Sequence, residues 1–288
     1  MSRFFIDSNT ELWHTIADEL NIDVISMPYT LGDDDEEFYD LGRNTNFEKF
    51  FNRLKNGEDA KTHGLNVQNY IDHFEPVLQN GEDIVYVHFS GNMSGTFTQM
   101  QQAIDFLKQK YPERTIRTAD TKSVSIGAGL LVYETAKMWQ NGATDDQIID
   151  FVENNRQKYS VTFLVDDLKH LKRGGRLSSA TYIVGTMLNI KPILKISEDG
   201  VVVKSGIAKG IKRGLREFVD IIKTNGDDLA NHTLFIAHAC VPELADELKN
   251  LILAETPAVD VRIQPIGPTI GVHCGPGTIG FAYHCKNR

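Results

Sequence analysis

Ile84-Val85-Tyr86-Val87 runs through His88-Phe89 into Ser90-Gly91-Asn92-Met93-Ser94-Gly95-Thr96, after which Phe97, Met100, Ala103, Ile104, Leu107 and Tyr111 recur at helical spacing. A strand, a loop of small and hydroxyl-bearing residues and an amphipathic helix therefore follow one another without a gap. That order presents free backbone N–H groups and hydroxyls at a helix N-terminus, where a carboxylate or a phosphate is favoured. The loop has neither the Lys of a P-loop nor the glycine spacing of a dinucleotide fingerprint, so the nucleotide readings are not supported. A helix N-cap by Ser94 or Thr96 with no ligand is the competing reading, because Ser and Thr cap helices routinely.

Strand and helix patterns alternate on both sides of this unit. Residues 3–6 read as a short strand, 11–20 as a helix with Leu12, Ile16 and Leu20 on one face, and 23–27 as a second strand. Gly32-Asp33-Asp34-Asp35-Glu36-Glu37 is an acidic loop, read as a solvated turn rather than a metal site. Residues 115–119 form the next strand, and a long helix from about Ser123 ends at Asn141-Gly142. Thr144-Asp145-Asp146-Gln147 fits a capping box. Such alternation implies a parallel sheet covered on both faces.

The pattern changes near residue 160. Residues 161–165 are a strand, and 191–196 pair with 201–205 across Ser197-Glu198-Asp199-Gly200, a hairpin signal. A helix over 209–224, a strand at 233–237, a helix at 242–253 and strands at 259–263 and 279–283 complete the chain. The predicted fold class is α/β with two domains. Residues 1–158 form an N-terminal parallel-sheet domain and 159–288 a C-terminal domain with a mixed sheet.

At 288 residues, 41% of them hydrophobic and 24% charged, the chain is long enough for two cores. A net charge of −9 argues against non-specific nucleic-acid binding. No apolar stretch reaches the length of a membrane span, and the start lacks a signal-peptide core, so no stable membrane insertion is expected. Cys240, Cys274 and Cys285 are scattered and the His residues form no HxH or HxxxH pair. Neither a disulfide framework nor a metal site is indicated, and a cytoplasmic protein with reduced thiols is expected.

Three further polar clusters stand out. Lys172-Arg173-Gly174-Gly175-Arg176 is the densest basic stretch; Arg176 can form a bidentate pair with an anion, or the run can simply end a helix. Ile266-Gly267-Pro268-Thr269-Ile270-Gly271-Val272-His273-Cys274-Gly275-Pro276-Gly277 sets His273 among residues that fix the backbone path. Lys61-Thr62-His63-Gly64 reads as a polar turn after a charged helix. Ser94, His273 and an acid such as Asp120 are the parts of a hydrolase or acyltransferase, although no G-x-S-x-G elbow is present.

Taken in order, these motifs resemble the DegV family of bacterial fatty-acid-binding proteins over nearly the whole chain. Ile6-Asp7-Ser8 resembles the family's DST opening, with Asn9 where Thr is usual. Asn92-Met93-Ser94-Gly95-Thr96-Phe97 resembles its LSGTY segment and Asp120-Thr121-Lys122-Ser123 its following D[ST] segment. Leu171-Lys172-Arg173-Gly174-Gly175-Arg176-Leu177-Ser178 and Leu188-Asn189-Ile190-Lys191-Pro192-Ile193-Leu194 are the most specific pair, and His273-Cys274-Gly275-Pro276-Gly277 resembles HTGPG. The resemblance implies a lipid-binding protein, not itself an enzyme and with no cofactor, that holds one long-chain fatty acid between its domains. It places the carboxylate on Thr62, Ser94 and His273, with Arg176, Gly95, Thr96 and Lys209 as further carboxylate or kinase contacts. It implies presentation of the acid to a separate ATP-dependent fatty acid kinase, which makes an acyl phosphate for phospholipid synthesis. Residues 179–188 are the expected wall of the acyl tunnel. The chain departs from the family pattern at Thr62-His63-Gly64-Leu65 (usually TSQP), at Met93 (usually Leu) and at Ala208-Lys209, where many relatives carry Arg.

Overall fold

The computed structural model describes residues 2–177 and 190–288. The chain begins with strand β1 (Arg3–Asp7), helix α1 (His14–Glu19) and strand β2 (Asp23–Ile25). Strands β3 (Pro28–Leu31), β4 (Glu37–Phe38) and β5 (Ala60–Thr62) form a small antiparallel sheet, with α2 (Phe47–Lys55) before β5. Helix α3 (Val67–Gln79), strand β6 (Ile84–His88), helix α4 (Thr96–Lys110), strand β7 (Ile116–Asp120) and helices α5 (Ile126–Gln140) and α6 (Asp145–Asn155) follow. The order β2-β1-β6-β7 makes a four-stranded, wholly parallel sheet.

The unbroken apolar run of β6 has a simple cause. Ile84 and Tyr86, with Phe5 of β1, face Tyr70 and Phe74 of α3 and Met100, Ile104 and Leu107 of α4. Val85 and Val87, with Phe4 and Ile6, face the opposite core that contains Leu130 and Trp139 of α5 and Ile148 of α6. Alternate side chains of each strand thus enter different apolar layers, as expected for a sheet covered on both sides. The Thr144–Gln147 capping box forms as read, each side chain bonding the other residue's backbone N–H.

The second sheet is built from β8 (Tyr159–Leu164), β9 (Ile190–Ile196), β10 (Val202–Lys209), β11 (Leu234–His238), β12 (Val261–Pro265) and β13 (Ile279–His284). Its order is β10-β9-β8-β13-β11-β12, mixed, with β11 and β12 parallel and the other neighbours antiparallel. Helices α8 (Ile211–Asn225) and α9 (Pro242–Glu255) cover one face; Phe218, Ile222, Leu248 and Ile252 pack there on Ile236 and Phe281. Two short helices, α7 (Lys169–Arg173) and α10 (Pro268–Cys274), lie outside these layers.

Helix α5 packs on β8, β11 and β13 of the second sheet and on β1 of the first, so its first seven residues, Ile126 to Val132, are apolar and buried all round. Close approach requires small residues there: a Cβ on Gly127 would come within 2.6 Å of the Val161 side chain. The parallel first sheet and the mixed second sheet agree with the predicted fold class.

Several local readings are corrected. The first helix starts at His14, not at Glu11, because Glu11 sits in a left-handed turn (φ 51°) with its carboxyl buried against Ser125 and the backbone of Gly267. The segment read as one strand over 23–27 is strand only over Asp23–Ile25, and the next strand, β3, begins at Pro28 and joins a different sheet. Thr62 is the last residue of a strand rather than part of a turn. Lys209 ends β10, and α8 starts two residues later, after Gly210 at φ 84°. The tunnel wall expected at 179–188 lies outside the described residues.

Candidate functional site

A cavity between the two sheets encloses about 1000 Å³, its open mouth included. Met27 and Phe89 line it from the first sheet's side and Val161, Phe163 and Ala237 from the second, with Ile266 and Ile270 beside α10. The wall is mostly apolar. Its polar side chains include Thr62, Ser94, Arg176 and His273, brought together from four separate parts of the chain.

Strand β5 brings Thr62 to the cavity by pairing with β3, Thr62 opposite Tyr29. Helix α10 packs on β3 and β5, and its His273 places Nε2 2.9 Å from the Thr62 hydroxyl. The other face of the imidazole lies against Gly174, where any Cβ would collide with Nδ1. That nitrogen is buried and has no hydrogen-bond partner among the described residues. Burial, reinforced by the positive charges of Arg176 and Arg173, pushes the His273 pKa down to about 4, so the ring is neutral near pH 7.

Arg176 follows the Gly174-Gly175 turn, in which Gly175 takes φ 67°. Its Nε donates to the Met93 carbonyl at 3.1 Å and Nη1 to the Gly174 carbonyl. Among the described residues no carboxylate pairs with it, and burial lowers its pKa from the ordinary guanidinium value. A half-buried guanidinium that, among the described residues, bonds only carbonyls has no carboxylate there to compensate its charge.

Ser94 stands after a single 3-10 turn (Gly91–Met93), and its Oγ accepts from the Thr96 N–H at 3.3 Å. A hydroxyl that accepts one bond still has a proton to donate. The helix N-cap residue itself is Gly95, with no side-chain cap. Met93, Ser94 and Arg176 also border a shallower outer groove that contains Gly95, so they stand where the cavity meets the surface.

The remaining expected contacts lie elsewhere. Thr96 is buried; its Oγ1 accepts from Leu65 N–H at 3.0 Å, bonds the Tyr70 hydroxyl at 3.0 Å and donates to the Leu65 carbonyl at 3.2 Å. It therefore fixes the turn after Thr62 and does not line the cavity. Lys209 is exposed at the end of β10 and is also outside the lining. Asp120, the acid considered for a triad, bonds the N–H groups of Gly91 and Lys122 and pairs with Lys122 Nζ at 3.1 Å. Among the described residues no Ser–His–acid relay is assembled: His273 Nε2 meets Thr62, and no carboxylate there bonds Nδ1.

The buried acids Asp7 and Glu11 were not singled out as individual residues by the sequence patterns. Asp7 accepts from the backbone of Phe89 at 3.0 Å and Asn9 at 3.0 Å and from the Tyr86 hydroxyl at 3.2 Å, tying β1 to the end of β6. Burial raises Asp7 to about 7 and Glu11 to about 8. Among the described residues no group of three or more His, Cys, Asp or Glu can hold a metal, and no helix is long and apolar enough to cross a membrane.

A family model described as an uncharacterised protein of the DegV family matches residues 3–286. A DegV domain-containing protein of Clostridium perfringens is 34% identical over 280 residues, covering 97% of this chain and 96% of the relative. One from Streptococcus pyogenes is 30% identical over 274 residues, covering 95% and 94%. Among solved structures, a fatty acid binding DegV family protein from Streptococcus agalactiae matches with a TM-score of 0.85 at 25% identity, covering 100% of this chain and 99% of that one. A DegV family protein from Ruminococcus gnavus, solved with vaccenic acid, shares the fold with a TM-score of 0.86 at 20% identity, each chain covered to 98%.

Proposed function

The chain belongs to the DegV family, and from that membership and the site we propose that it binds one long-chain fatty acid. The carboxylate is held by Thr62, Ser94 and His273 beside Arg176, and the acyl chain lies in the apolar cavity. One observation carries this reading: a half-buried guanidinium with no carboxylate partner among the described residues stands next to a neutral His–Thr pair at the mouth of a mostly apolar cavity. A buried carboxylate must be paired or hydrogen-bonded. Arg176 supplies the charge, and Ser94 and the His273–Thr62 pair supply hydrogen bonds. Each buried methylene of the tail adds about 0.8 kcal/mol of transfer free energy before ordering costs. The fatty acid bound by the Streptococcus agalactiae relative supports the same ligand class.

We further propose that the bound acid is presented to a separate fatty acid kinase, which transfers a phosphoryl group from ATP to the carboxylate for phospholipid synthesis. The position of Ser94 and Arg176 on both the cavity and the outer groove suits a head group that must be reached from outside. The Ser94–His273 hydrolase or acyltransferase reading draws no support from a His273 ring with no orienting acid among the described residues.

Calorimetric titration with oleate, alongside an assay with an activated acyl ester, tests the binding reading. One-to-one binding without turnover is expected. Turnover that disappears in Ser94→Ala would replace it with the enzyme reading. For the kinase, Arg176→Ala is expected to impair acyl phosphate formation more than lipid binding, and equal loss of both would refute that division of roles.

A further inference from the structure

We propose that Asn9 is a second polar station inside the cavity, selecting acyl chains that carry a hydroxyl or keto oxygen near the carboxylate. The inference rests on the fatty-acid reading above and adds a specificity to it.

Asn9 lines the cavity from the 3-10 turn Ser8–Thr10. Its backbone is held from both sides: its N–H donates to Asp7 Oδ1 at 3.0 Å, and its carbonyl accepts from the Ser125 N–H at 2.8 Å. Its side-chain Oδ1 accepts from the Thr269 hydroxyl at 2.6 Å. The amide Nδ2, with two N–H donors, has no acceptor among the described residues. Turning the amide over would only exchange the ends, leaving a carbonyl oxygen in the cavity in place of the NH2 group. Either way one polar end of a rigidly mounted side chain is left without a protein partner on the wall of a mostly apolar cavity.

Its place along the ligand follows from helix geometry. Thr269 and His273 are four residues apart on α10 and both line the cavity, so they share one face about 6 Å apart along the axis. Asn9, bonded to Thr269, therefore stands one helical turn from the group that receives the carboxylate. An unbranched alkyl chain passing that point strips water from the amide and returns no hydrogen bond. A chain with an oxygen there restores the bond. The site thus discriminates against plain methylenes at this one level, as sites with unspent polar groups do against analogues lacking the partner.

The test compares dissociation constants of palmitate, a hydroxypalmitate with its hydroxyl near the carboxylate, and one hydroxylated at the far end of the chain. They are measured on the full chain and on Asn9→Leu. The near-carboxylate hydroxy acid is expected to bind the unaltered chain about tenfold tighter than palmitate, the scale of one recovered hydrogen bond. Asn9→Leu is expected to abolish that preference while still binding palmitate. Equal affinity for palmitate and the near-carboxylate hydroxy acid in the unaltered chain overturns the proposal and leaves fatty-acid binding standing; this comparison needs no variant. An undiminished preference in Asn9→Leu also overturns it. Failure of all three acids to bind would remove the fatty-acid reading itself and the proposal with it.

Discussion

The Thr62 hydroxyl stands 2.9 Å from Nε2 of His273, across 211 positions of sequence. Strand β5 supplies one partner and helix α10 the other, and the backbone of Gly174 closes the remaining face of the ring. The contact brings together two residues of the proposed anion seat while the imidazole stays neutral.

A carboxylate placed beside this ring changes its titration. The His273 pKa lies near 4 because burial and the Arg176 and Arg173 charges disfavour the imidazolium. A bound carboxylate offsets those charges and must raise the value. NMR titration of the His273 ring is expected to show a low midpoint that moves up when oleate is added. A midpoint that ignores oleate would place the head group elsewhere.

Gly174 and Gly95 form a matched pair, both at φ −72°. A Cβ on Gly95 meets nothing within 4 Å, whereas one on Gly174 runs into the His273 ring. Gly95→Ala is expected to leave binding intact and stabilise by about 0.4–1 kcal/mol through the unfolded chain. Gly174→Ala is expected to lower both stability and oleate affinity, despite the same backbone geometry. Urea denaturation and oleate titration of the two variants check this, and equal behaviour would contradict the packing described.

Thr96 acts on the site through the turn that follows Thr62. Thr96→Val leaves the buried Leu65 N–H and Tyr70 hydroxyl without their partner, a cost of about 1–3 kcal/mol. Urea denaturation is expected to show that loss, and Thr96→Ser to restore most of it. A Val variant as stable as the parent would mean that these bonds contribute nothing net.

How far the sequence discloses this site depends on the length of each element. The β6–α4 unit, the 197–200 hairpin and the Thr144 capping box are legible because each has a periodicity or a local motif several residues long. Strand β5 has only three residues, Ala60–Thr62, too few for alternation to show, so Thr62 looked like part of a turn. Its meeting with His273 is a tertiary event that no local pattern encodes. Glu11 misled the reading of the first helix for a related reason: a charged residue before an apolar periodic run resembles a helix start, but its carboxyl is spent on Ser125 and Gly267. Motif order points to Ser94 and Arg176, which line the cavity, and also to Thr96 and Lys209, which do not.

The buried acids set the alkaline limit of stability. The Glu11 pKa rises from the ordinary value of 4.5 to about 8 on folding, and Asp7 rises from 3.8 to about 7, both through burial. Between those limits the native state holds protons that the unfolded chain has released. Their contribution is therefore complete below the unfolded values and is lost as pH rises through the folded ones. Denaturation midpoints are expected to fall from about pH 5 to about pH 8 and to level off above that, and Glu11→Gln, which cannot ionise, to flatten the upper part of that fall. An unchanged slope in Glu11→Gln would show that Glu11 is ionised in the native protein.

Native mass spectrometry of the protein as purified, followed by extraction and identification of any retained lipid, tests the central claim most directly. The account predicts one fatty acid per chain, retained in the unaltered protein and diminished in Ser94→Ala and Arg176→Ala. A protein that retains no lipid and gains no mass with oleate or palmitate would contradict it.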